Sequence, residues 1–90
     1  MANLRVIKKD VIYLINEVIS DCWMFMYLND NKKTEEAKKI VVDAIELGDN
    51  MFEQINHYPK DDTKKHFRAV NKKLLENVDA LFVRLSNLNK

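Results

Sequence analysis

Glycine, proline and cysteine are almost missing, with one of each in 90 residues. Average usage would give roughly six glycines and four or five prolines in a chain of this length. Sheets turn at such residues, so their scarcity nearly excludes an all-β fold. The single glycine also leaves no room for a Gly-rich phosphate loop. The single cysteine, Cys22, can neither close an internal disulfide nor furnish a Cys-rich zinc site. Small secreted domains are usually stapled by several bridges, so a reducing cytoplasm is the expected location. An excess of one charge is lacking too: 15 Lys and Arg stand against 14 Asp and Glu. Net charge therefore points neither to nucleic acid nor to an acidic membrane surface. The longest unbroken apolar run is Cys22 to Leu28, short of the ~18–20 residues that span a bilayer. Lys8 and Lys9 before Val11–Ile15 imitate the start of a signal peptide. Asn16 and Glu17 then interrupt the apolar stretch, and no small-residue cleavage site follows. The expectation is a protein without a membrane partner.

What is present is a helical pattern. Hydrophobic residues make up 47% and charged residues 32% of the chain, ordinary for one globular domain covering residues 1–90. Laid out at about 100° per residue, the apolar positions form three stripes. The first holds Leu4, Ile7, Val11, Leu14, Ile15, Val18, Ile19, Cys22, Phe25 and Met26, with Ile12 at its edge. Its arc of about 160° is wider than a two-stranded coiled-coil seam, so this helix needs two neighbours. Asn29-Asp30-Asn31 ends it with turn-favouring side chains.

The second stripe is Ala37, Ile40, Val41, Ala44, Ile45, Leu47, Gly48, Met51, Phe52, Ile55 and Tyr58. Thr34 is its expected N-cap, followed by Glu35 and Glu36 at the positive end of the helix dipole. Gly48 lies within the arc, where it would admit a close helix neighbour at a propensity cost of ~1 kcal/mol. Pro59 should end the segment near His57. The third stripe is Phe67, Val70, Leu74, Leu75, Val78, Leu81, Phe82, Leu85 and Leu88, behind Asp61-Asp62-Thr63, with Asn71 inside the arc.

The predicted helices therefore cover about 3–29, 34–57 and 61–88. Short links make successive helices antiparallel, which predicts an all-α, up-down-up three-helix bundle with long helices.

Chemistry is sparse. His57 and His66 flank the second link, with Asp61 and Asp62 between them, and Asp49, Glu53 and His57 form an outward i, i+4, i+8 row. No inward Glu-x-x-His motif accompanies them, so they read as a solvated polar face with no metal or cofactor. Cys22 falls on the apolar side, Ser20 and Ser86 have no histidine nearby in sequence, and a bundle this small has little room for a substrate pocket. A non-enzymatic protein is expected.

Two surfaces remain. Arg5, Lys8, Lys9, Lys65, Arg68 and Lys72 gather at one pole of the proposed bundle and offer a small nucleic-acid patch. Glu46, Asp49 and Glu53 come to that same pole and oppose it, and no aromatic is interleaved. At the other pole, Trp23, Met24, Tyr27 and Leu28 wrap the side of the first helix away from its stripe. Val42 and Val83 stray from theirs at the same level. Apolar side chains gathered outside a core, Trp, Tyr and Met among them, mark an interface. The leading expectation is an interaction module that forms a homodimer through this pole, with the nucleic-acid patch as the alternative.

Overall fold

The computed structural model describes residues 4–29, 32–58 and 61–88. They form α1 (Leu4–Leu28), α2 (Lys32–Asn56) and α3 (Thr63–Leu88), an all-α three-helix bundle in which every helix touches the other two. At 1.5 Å per residue each helix is roughly 38 Å long, and the molecule measures 49 × 18 × 17 Å. The α1–α2 contact is the most extensive and the α1–α3 contact the least.

Local chemistry accounts for most of the boundaries. At the end of α1, both the backbone N–H and the side-chain amide of Asn29 donate to the Phe25 carbonyl, at 3.0 and 2.9 Å. These bonds satisfy a carbonyl that the helix leaves without an internal partner. Asp30 and Asn31, the rest of the expected turn, lie outside the described residues, as does Pro59. Helix α2 begins at Lys32 rather than at Thr34, so Thr34 occupies the first turn and is not the N-cap. Two exposed acid–base pairs, Glu35–Lys38 and Glu36–Lys39, follow within the helix. Helix α3 begins at Thr63 instead of 61. Asp62 precedes it with φ 56° and accepts the His66 N–H at 3.0 Å through its carbonyl. Aspartate tolerates this left-handed conformation better than most residues.

The core is one continuous cluster. Ile7, Val11, Ile15, Val18, Cys22 and Phe25 come from α1. Ala37, Ile40, Ala44, Met51 and Ile55 come from α2, and Phe67, Val70, Leu74, Val78, Leu81 and Leu85 from α3. Each set repeats at three- and four-residue steps, with buried Gly48 filling the step between Ala44 and Met51 in α2, so the sequence stripes become the packed faces. Asn71 is half-buried at the flank of its stripe. Among the described residues, no buried side-chain nitrogen or oxygen lacks a partner.

Among the described residues, four stripe positions do not enter the core. Ile12, Ile45, Tyr58 and Leu75 are exposed. They sit at the edges of broad arcs, and a bundle of three helices gives each helix only two neighbours to cover its flanks. Tyr58 keeps one aromatic contact, its ring centroid 5.2 Å from that of Phe67.

Gly48 also departs from expectation. A methyl at its Cα would meet Ile15 Cγ1 at 3.5 Å, an ordinary contact distance. Close approach of α1 therefore does not require glycine here. Gly48→Ala is expected to stabilise the fold by about 0.5–1 kcal/mol, because alanine loses less backbone entropy in a helix interior. A denaturant midpoint that rises with unchanged slope would show it; a fall would mean that α1 sits tighter on this position.

Candidate functional site

The helix registers can be fixed from two contacts. Gly48 faces Ile15 across the α1–α2 seam. The Arg84 guanidinium reaches Asp43 at 2.6 Å between α3 and α2. Antiparallel counting from these contacts brings Trp23, Val42 and Val83 to one level of the bundle, as the sequence suggested. All six expected interface residues, Trp23, Met24, Tyr27, Leu28, Val42 and Val83, are exposed.

They do not share one face. Met24 and Leu28 border an open cleft with Phe25 and Leu85, on the α3 side of α1. Trp23 and Tyr27, with Met24, Met26 and Ser20, line a shallow depression of about 650 Å³ on the surface of α1, so Met24 borders both features. Trp23 follows Ile19 by one turn, and Ile19 belongs to a groove on the α2 side. That groove, about 240 Å³, runs between Ile12, Ile15 and Ile19 of α1 and Ile45, Gly48 and Phe52 of α2. Val42 precedes Ile45 by three residues and lies beside the same groove. Val83, between Ala80 and Arg84 of α3 in position, is exposed and lines neither the cleft nor the groove.

The groove is the feature that sequence reasoning missed. Ile12 and Ile45 look like core residues by periodicity, and their position beside an open seam appears only once α1 and α2 are paired. The available signal was the place of Ile12 at the edge of the first stripe, where two neighbouring helices leave it exposed.

Over its last two-thirds, α1 is apolar nearly all round, interrupted by Asn16, Glu17, Ser20 and Asp21. By length and composition the stretch Arg5–Leu28 is able to cross a membrane. Counting unbroken apolar runs hides this, since three acids, Asp10, Glu17 and Asp21, are spread through the segment. In the bundle, 28% of that window is buried inside the protein.

The basic residues are divided between two surfaces. Arg5, Lys8 and Lys9 precede Ile12 and Asn16 of the groove by whole turns and so lie on the α2 side of α1. On the α3 side of α1 the corresponding positions are the acids Asp10, Glu17 and Asp21. Lys72 of α3 borders a different cleft with His66 and Gln54 of the α2–α3 seam, and its ammonium stands 4.0 Å from Glu76. Arg5, Lys8 and Lys9 thus lie toward a different seam of the bundle from Lys72.

Both histidines serve the end of α2. His57 directs Nδ1 to the Glu53 carbonyl at 3.0 Å, and His66 directs Nε2 to the Gln54 carbonyl at 2.9 Å. A carbonyl only accepts, so each of these ring nitrogens carries the proton. His66 in this way ties α3 to the open carbonyl end of α2. No group of three His, Cys, Asp or Glu side chains converges among the described residues. Cys22 is fully buried, and burial, then the neighbouring Asp21, raises its thiol above the usual cysteine range while Arg84 pulls the other way. A buried, protonated thiol is a small hydrophobe and a poor nucleophile.

No family model matches the chain, and no curated protein or solved structure matches it.

Proposed function

We propose that this chain is a small helical protein-interaction module without enzymatic activity or cofactor, and that it self-associates as a homodimer through the apolar surface of α1 around Trp23–Leu28. One observation carries the reading. Trp23 is 61%, Leu28 70% and Tyr27 87% exposed, on a helix that has apolar residues left over after packing both of its neighbours. Trp and Tyr supply large contact areas at low entropic cost and dominate interface energetics.

Light scattering at micromolar concentration tests the reading. The expected mass is that of two chains for the natural sequence and of one for Trp23→Ala or for Tyr27→Asp, whose side chain lines the same depression as Trp23. A strict monomer, unaltered by either substitution, would overturn it. So would transfer of the natural chain to neutral phosphatidylcholine vesicles in place of dimerisation, which would make α1 a membrane-seeking helix.

A further inference from the structure

The same reading fixes which way a second copy would sit. We infer that the partner covers the α1–α2 groove with its own α1–α2 groove, about a dyad parallel to the helices, so that α1 of each copy lies on α2 of the other.

A homodimer of this kind presents one patch to itself, and its dyad lies in the contact plane. The patch here is a long side of the bundle, on the order of 49 × 18 Å, enough for a standard interface of ~800 Å² per partner. Its apolar line runs through Ile12, Ile19 and Trp23 on α1 and Val42, Ile45 and Phe52 on α2. Ile12, Trp23, Val42 and Ile45 are exposed, and Ile19 and Phe52 are half-buried.

Charge decides between the two simple orientations. At one pole of this side, α1 carries Arg5, Lys8 and Lys9, and α2 carries Glu46, Asp49 and Glu53. None of these six forms an ion pair among the described residues. With the dyad along the helices, basic α1 meets acidic α2 of the partner, and the Trp23 poles meet each other. With the dyad across the helices, Lys8 and Lys9 would be laid over Met26 and Tyr27 of the partner. That would desolvate two ammonium groups against apolar surface. Glu53 would then face Lys38 and Lys39, which already pair with Glu35 and Glu36. Complementary potentials set orientation and reject the wrong register.

Two charge-reversed variants test the arrangement: Lys8→Glu with Lys9→Glu, and Asp49→Lys with Glu53→Lys. Each is expected to self-associate at least about tenfold more weakly than the natural chain. Mixed in equal amounts they should form a heterodimer, seen by native mass spectrometry. Helicity of each variant by circular dichroism shows that the bundle is intact. In a second measurement, a copy carrying Ile19→Cys should form a disulfide with a copy carrying Ile45→Cys. Natural-strength dimers from both charge variants, or Ile19→Cys joining only to itself, would overturn the orientation while leaving self-association standing. A monomeric natural chain would overturn both.

Discussion

Ile45→Asp is expected to leave the monomer folded and to abolish the dimer at micromolar concentration. Ile45 is 49% exposed within one subunit, so an aspartate there stays solvated, at a cost set mainly by helix propensity and lost apolar contact, under about 1 kcal/mol. In the dimer the same carboxylate would be buried in an apolar groove, twice over by symmetry. Each uncompensated burial costs at least ~2 kcal/mol. Together that is about 4 kcal/mol, or roughly a thousandfold in Kd. Sedimentation equilibrium measures the dissociation constant, and chemical denaturation of the dilute protein checks the fold. If Ile45→Asp dimerises like the natural chain, the groove is not the interface. If it unfolds the dilute protein, Ile45 contributes to the core more than its exposure indicates.

Leu74→Ala is expected to produce the opposite separation, a large loss of fold stability. Leu74 has no exposed surface and lies at the centre of the α3 face of the core. Its removal sacrifices transfer free energy and leaves a cavity that three long helices cannot easily close. Comparable truncations cost about 2–5 kcal/mol, out of ~5–15 kcal/mol for a typical domain. The urea midpoint should fall steeply with little change in slope. A change below about 1 kcal/mol would mean that the bundle repacks around the gap and that its core is not a single fixed arrangement.

The fold was legible because helix periodicity and the scarcity of glycine and proline act over the whole chain. Ile7, Val11, Val18 and Cys22 recur on one side of α1, and only a core can cover such a row. The boundaries were less legible. Thr34 looks like an N-cap in sequence, yet the helix runs on to Lys32, since cap preferences of ~1 kcal/mol do not outweigh another half-turn of backbone bonds. At the second link, Asp62 adopts a left-handed conformation before Thr63, a choice made by the geometry of the turn and not by any pattern in the sequence.

The candidate site was legible in part. The misfit of Trp23, Tyr27 and Leu28 is visible on a helical wheel, because a residue opposite the stripe cannot reach the core. Ile12 and Ile45 are different. They lie at the edges of their arcs, where the placement of the neighbouring helix alone decides between burial and exposure. The division of the basic residues has the same origin. Arg5, Lys8 and Lys9 share a pole with Lys65, Arg68 and Lys72, but which side of the pole each takes depends on the phase of two separate helices. The histidine contacts with the Glu53 and Gln54 carbonyls likewise need the actual path of the second link.

Trp23 is the chain's single tryptophan, and it stands in the surface said to be covered. Its fluorescence emission followed through a dilution series, with mass recorded on the same samples, gives the most direct test. The expected result is emission of a shielded indole at high concentration, shifting to that of a hydrated indole at the concentration where the mass falls from two chains to one. Emission of a hydrated indole at every concentration, with the mass of one chain throughout, would contradict it.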